Sequence, residues 1–249
     1  MTLVTRMRWA AVAVLACVAV SYAGDKKDKQ KPAGAQVVDS GSFGVFVRGQ
    51  RVVTETFSVQ QENGISTVKS QLKETGGSAS AGQRSELQMT GSAELVKYEW
   101  SDGIGSLVVT PNSEFLLEKI TASPTSKTAE QPFLMPSTSA ILDNNFFIHR
   151  EVLAWRYLTT NCRSESGEFR CQKEPGEFGV LVPQGRTSMR VRIELVGREK
   201  IKIGGSEREL LRLDLKGESF SWALWVDEKN KFKLMRVLIA DDNTEVVRD

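Results

Sequence analysis

The sequence predicts a mainly β fold (α+β), in which a curved antiparallel meander forms a half-open barrel around one central helix. Three observations lead there. Short runs of alternating apolar and polar residues recur along the chain between Gly-, Asn- and Asp-containing turns, which is the period of a strand with one dry face. Only one long segment, residues 138 to 158, repeats its apolar residues at helical spacing. The last runs carry apolar residues on both faces, so that part of the sheet must be covered on both sides.

Residues 1 to 23 read as an export signal. Arg6 and Arg8 precede an apolar run, Trp9 to Val20, that is too short to span a bilayer, and Ser21-Tyr22-Ala23 supplies a small-x-small cleavage site after Ala23. Acylation of Cys17 is the alternative, opposed by the bulky Leu15 and by the apolar run continuing through Val18 to Val20. Loss of Arg6 and Arg8 balances the 33 basic residues against the 31 acidic ones. A balanced, exported chain has no general electrostatic reason to bind nucleic acid. Residues 24 to 40, with Lys26, Lys27, Lys29 and Lys31 near the start, read as a flexible tether to a single β-rich domain over 41 to 249.

The domain opens with Phe43 to Val47, Val52 to Gln61 and Ile65 to Lys73. Asn63-Gly64 between the last two is a hairpin signal, since both turn positions need positive φ. Arg84 to Thr90, Glu94 to Trp100, Ser106 to Thr110 and Phe115 to Ile120 continue the meander, with a second turn at Asp102-Gly103. Residues 122 to 137, with Pro124, Pro132 and Pro136, have no period and read as a crossing connection.

The helix follows, over 138 to 158. On its apolar arc lie Asn145, His149 and Arg156, a polar stripe that must find partners if buried; Asp143 and Arg150 fall on the opposite, wet face. The stripe either fixes the helix against the sheet or lines the mouth of a cavity, with Arg156 meeting a carboxylate or phosphate head and His149 adding a hydrogen bond. Cys162 and Cys171, an even pair in an oxidising compartment, are expected to form a disulfide across a polar loop.

The second group of strands comprises Phe178 to Val182, Met189 to Leu195, Glu209 to Lys216, Ser219 to Asp227, Phe232 to Ala240 and Thr244 to Arg248. Its opening, Phe178-Gly179-Val180-Leu181-Val182, repeats the pattern of Phe43-Gly44-Val45-Phe46-Val47, a match that two converging strand openings explain as well as two related halves do. Trp225, with Met235 and Val237, either forms an apolar ligand floor or packs under the helix as core. One helix cannot cover both faces of a sheet of about a dozen strands, so either the sheet curls, its concave face closed by the helix and the Pro-rich crossing, or it leaves an apolar cleft; curling is expected of a long antiparallel sheet.

Phe43-x-Val45-Phe46-x-x-Gly49-Gln50, Glu55-x-Phe57, a helix in mid-chain and closing hairpins ending in Trp225-Val226-Asp227 resemble bacterial periplasmic domains that share the half-barrel of lipoprotein carriers. The resemblance covers most of residues 41 to 248. It implies a curved sheet wrapped about helix, with an apolar cavity suited to acyl chains. Carriers of that type usually close the cavity with several helices, whereas one is legible here.

Enzyme signatures are missing: there is no nucleophile elbow, phosphate loop or dinucleotide fingerprint, and no zinc spacing. Ser66-x-x-Lys69 and Ser70-x-x-Lys73 fall on a strand, where residues three apart point to opposite faces. Asp241-Asp242-Asn243 reads as a turn rather than a calcium site. The expectation is a non-catalytic envelope protein that binds a hydrophobic or amphipathic, lipid-like ligand through Asn145, His149, Arg156, Trp225, Met235 and Val237, without cofactor or metal. The rival is an envelope interaction or scaffolding protein that docks a protein partner.

Overall fold

The computed structural model describes residues 34–76, 82–165 and 168–249. The export signal expected over 1 to 23, Cys17 and the first part of the expected tether lie outside the described residues. The first eight strands are β1 (Gln36–Val47), β2 (Gln50–Glu62), β3 (Ile65–Glu74), β4 (Arg84–Thr90), β5 (Leu95–Ser101), β6 (Ser106–Asn112), β7 (Phe115–Thr121) and β8 (Ala129–Phe133). A short β9 (Ala140–Ile141) leads to α1 (Ile148–Asn161), the single α-helix among the described residues. Then follow β10 (Cys162–Glu165), β11 (Glu168–Cys171), β12 (Gly176–Val182), β13 (Thr187–Ile203), β14 (Ser206–Lys216), β15 (Ser221–Asp227), β16 (Lys233–Ile239) and β17 (Thr244–Arg248).

All but β10 and β11 join one 15-stranded sheet, in the order β8-β7-β6-β5-β4-β3-β2-β1-β17-β16-β15-β14-β13-β12-β9. Each meander therefore stays in sequence order, and the two meet where β1 pairs with β17, Phe43 opposite Arg248 and Val47 opposite Thr244. The sheet is curved and does not close into a barrel: β8 and β9 stand at opposite rims. Register shifts at Val37/Asp39, Val45/Phe46, Gln88/Met89, Leu195/Gly197 and Trp225/Val226 bend individual strands, as an unpaired extra residue does. The Asn63-Gly64 turn is as expected, with φ of 50° and 79°.

One face of the sheet carries the main core, with α1 laid upon it; Phe43, Val59, Leu87, Val109, Leu213 and Val237 point into it. The opposite face carries a small cluster of Ile203, Leu210, Trp225 and Met235. Trp225 Nε1 donates to Glu199 Oε2 at 2.9 Å there, and the Arg212 and Arg236 guanidiniums lie 5.8 and 5.0 Å from the Trp225 ring.

Four expectations change. Residues 36 to 40 are strand rather than tether, pairing Gln36 with Gln61 and Ser40 with Ser58, and Asp39 is buried. The crossing connection contains β8, which carries Pro132 at the sheet rim, where a missing N–H costs no ladder bond. The helix spans 148 to 161, not 138 to 158. Upstream, Ala140 and Ile141 pair in parallel with Val180 and Leu181, and Asp143 Oδ1 accepts the Asn145 N–H at 2.8 Å in a turn that competes with helix. Asp143 and Arg150 are 0% and 1% exposed, so the two residues expected on a wet face are interior groups.

Candidate functional site

Phe147 ends the turn before α1 and has no capping side chain of its own. The cap comes from β2 instead. Glu55 Oε2 accepts the Phe147 N–H at 2.6 Å, while Oε1 accepts the Ile148 N–H at 3.2 Å and the Ser70 hydroxyl at 2.7 Å. Helix N-termini favour a negative charge, yet Glu55 is fully buried. Burial pushes its carboxyl up to about 7, against the opposing pull of Ser70, the two N–H groups and Arg150.

Arg150 reaches back over the same turn, donating to the carbonyls of Asp143 and Phe146, the latter at 2.6 Å, and stacking 4.8 Å from the rings of both Phe147 and Trp222. Burial lowers its guanidinium to about 10. The Asp143 carboxylate accepts from the Tyr98 hydroxyl and from Gln184 Nε2. Further along α1, Glu151 accepts the Leu234 N–H and Arg248 Nη1, both at 2.9 Å, and Arg248 also pairs with buried Asp39. These contacts pin the N-terminal half of the helix to both meanders.

His149 is 0% exposed. Its Nδ1 accepts the Asp143 N–H at 3.3 Å, and its Nε2 has no partner. Burial lowers the ring to about 4, with Asp143 pulling the other way and Arg150 adding to the fall. It lines a cleft between α1, β9 and the β4–β5 hairpin, whose apolar walls are Leu87, Met89, Leu95, Ile141, Val152 and Leu153. Arg156 and Ser139 are the other polar groups on that lining. Arg156 is half-buried, its guanidinium 5.4 Å from the Phe178 ring, and it forms no hydrogen bond or ion pair among the described residues. The free space is about 20 Å³, little more than one water-sized group.

Of the six residues expected to bind ligand, the structure brings together His149 and Arg156. Asn145 precedes the helix, is exposed, and donates to Gln83 Oε1 at 2.8 Å. Trp225 and Met235 are on the far face of the sheet and Val237 is in the main core, so the three form no common floor. The register shift at Trp225/Val226 explains this: Leu234 and Val237, three apart, share a face because the shift resets the alternation. Cys162 and Cys171 are disulfide-bonded and directly opposed on β10 and β11. Ser70, one half of an apparent Ser-x-x-Lys, is bonded to Glu55. Among the described residues no group of three or more His, Cys, Asp and Glu is placed to hold a metal ion.

No family model, curated protein or solved structure matches this chain. Its function therefore rests on the geometry of the site itself.

A larger concavity lies elsewhere. An open trough of about 680 Å³ crosses β2 to β6 on the face opposite the main core, between one row containing Thr56, Gln71 and Arg84 and another containing Lys69, Glu86 and Glu99. Sequence reasoning missed Glu55, Asp143 and Arg150 as interior groups. Glu55 carried a signal, a lone acid amid alternating apolar positions of β2.

Proposed function

We propose that this chain is an exported, non-catalytic binding protein of the cell envelope, its curved sheet serving as a half-barrel that takes an amphipathic, lipid-like ligand against α1. The observation that carries this reading is the cleft beside α1: apolar walls, one cation at the lining without a counter-charge, and one buried ring nitrogen without a partner. Buried polar groups are normally paired, so unpaired ones on an apolar lining favour a ligand that pairs them. At about 20 Å³ the cleft is far below the ~300 Å³ of a small-ligand pocket, so the reading requires the β4–β5 tip to swing from α1 to admit a chain-bearing ligand. That tip has Ala93 at φ 61° and is tied to the connection by the Leu95 N–H to Ser137 carbonyl bond.

Extraction of the purified protein and mass spectrometry of the extract test the reading. One amphiphile per chain is expected. Ligand-free protein that also fails to take up an added fatty acid overturns it.

The trough supports a second reading, an envelope interaction protein, because its rows of mixed charge and hydroxyl groups offer a polar docking face. A photo-crosslinker at Glu99 capturing one partner protein in cells favours that reading.

A further inference from the structure

We infer that the cleft beside α1 is selective for a carboxylate: the ligand's head is an anion that only accepts hydrogen bonds, and its tail is an alkyl chain. This rests on the binding reading above and names the chemistry of the head. The argument starts from one hydrogen bond. His149 Nδ1 accepts the Asp143 N–H, so that nitrogen carries no proton. A neutral imidazole has its proton on the other nitrogen, so Nε2 is an N–H donor, fully buried and unpartnered, on a residue of the cleft lining. The remaining polar groups there are the Arg156 guanidinium, which can only donate, and the Ser139 hydroxyl, which can donate.

No carboxylate lines the cleft. Every polar side chain on it can therefore present hydrogen, and one is a cation. An ammonium or amide N–H head would find only the Ser139 hydroxyl to accept from it, and an alcohol would leave Arg156 without a counter-charge. A carboxylate satisfies both sides, and charge-assisted bonds to it are the stronger ones. Two donor side chains, His149 and Arg156, match the two oxygens of its planar head. The tail then lies along Met89, Leu95 and Val152.

The test titrates the purified chain with octanoate, octanol and octylamine in a buffer free of other carboxylates. Calorimetry is run together with NMR of the His149 ring nitrogens. Octanoate is expected to bind at least about tenfold more tightly than octanol, a gap typical of one charge-assisted bond, and to shift the Nε2–H resonance. Arg156→Gln, at a half-exposed position without a hydrogen bond, is expected to fold and to lose that selectivity. Octanol binding as tightly as octanoate, or octanoate binding without moving the His149 signal, overturns the carboxylate assignment while leaving an apolar binding site in place. Failure of all three probes to bind overturns the binding reading itself.

Discussion

Glu55→Gln isolates the competition at the helix N-terminus. Two forces act on the Glu55 carboxyl in opposite directions: two backbone N–H groups, Ser70 and Arg150 favour the ion, while complete burial favours the neutral acid. Burial wins, raising the group from 4.5 to about 7. The unfolded chain ionises this group first, so between those limits the folded state holds the extra proton. Stability from the raised value is present in full below pH 4.5 and is lost as pH rises to about 7. At about 1.4 kcal/mol per pH unit, that window corresponds to a loss of roughly 3 kcal/mol. Gln does not titrate, so the wild-type minus Glu55→Gln difference removes every other group from the comparison. Urea unfolding of both proteins from pH 4 to pH 8 should show that difference falling by about 3 kcal/mol as pH rises. A flat difference, or one that rises with pH, refutes the reasoning and means that the N–H groups and Arg150 outweigh burial.

Other expectations follow from the same interior. Arg248→Met leaves buried Glu151 without its cation, while Asp39 keeps Lys233 at 2.7 Å, and should cost about 3–5 kcal/mol by urea unfolding; a loss below about 1 kcal/mol contradicts the role given to it. Leu153→Ala removes a wall of the α1 cleft that is 1% exposed, and should cost about 2–5 kcal/mol while tightening octanoate binding by calorimetry. Replacing Cys162 and Cys171 together by Ser opens a short loop, with a sequence separation of 9, and should lower stability by roughly 2–3 kcal/mol in denaturant titrations. His149→Phe removes an unpaired buried donor; it should leave far-UV circular dichroism unchanged and abolish the octanoate preference.

The strands were legible because they follow local rules. Asn63-Gly64 dictates its turn whatever the rest of the chain does, and alternation marks the dry face of β13 through Val191 and Ile193. The helix start was not legible, because the carboxylate that caps it stands 92 residues upstream of Phe147. Its apolar spacing ran on through Ile141 and Phe146, which are buried for other reasons: one pairs with β12 and the other packs in the turn. The helical phase carried back to Asp143 was therefore false. Arg150 is on α1, yet its guanidinium is enclosed by carbonyls of the turn it folds over, a partner set no period can show. The same limit separated Trp225 and Met235 from Val237. A single extra residue inverts a strand's faces, and nothing in its composition announces it.

The adjacency of β1 and β17 has a consequence for folding. The two meanders become one sheet only when Thr244 to Arg248 zip β1 to β16. Until then the molecule is two separate leaves, each with a long raw margin able to recruit a stranger's strand. Breaking the pairing of β17 should therefore expose two sticky margins rather than trim one.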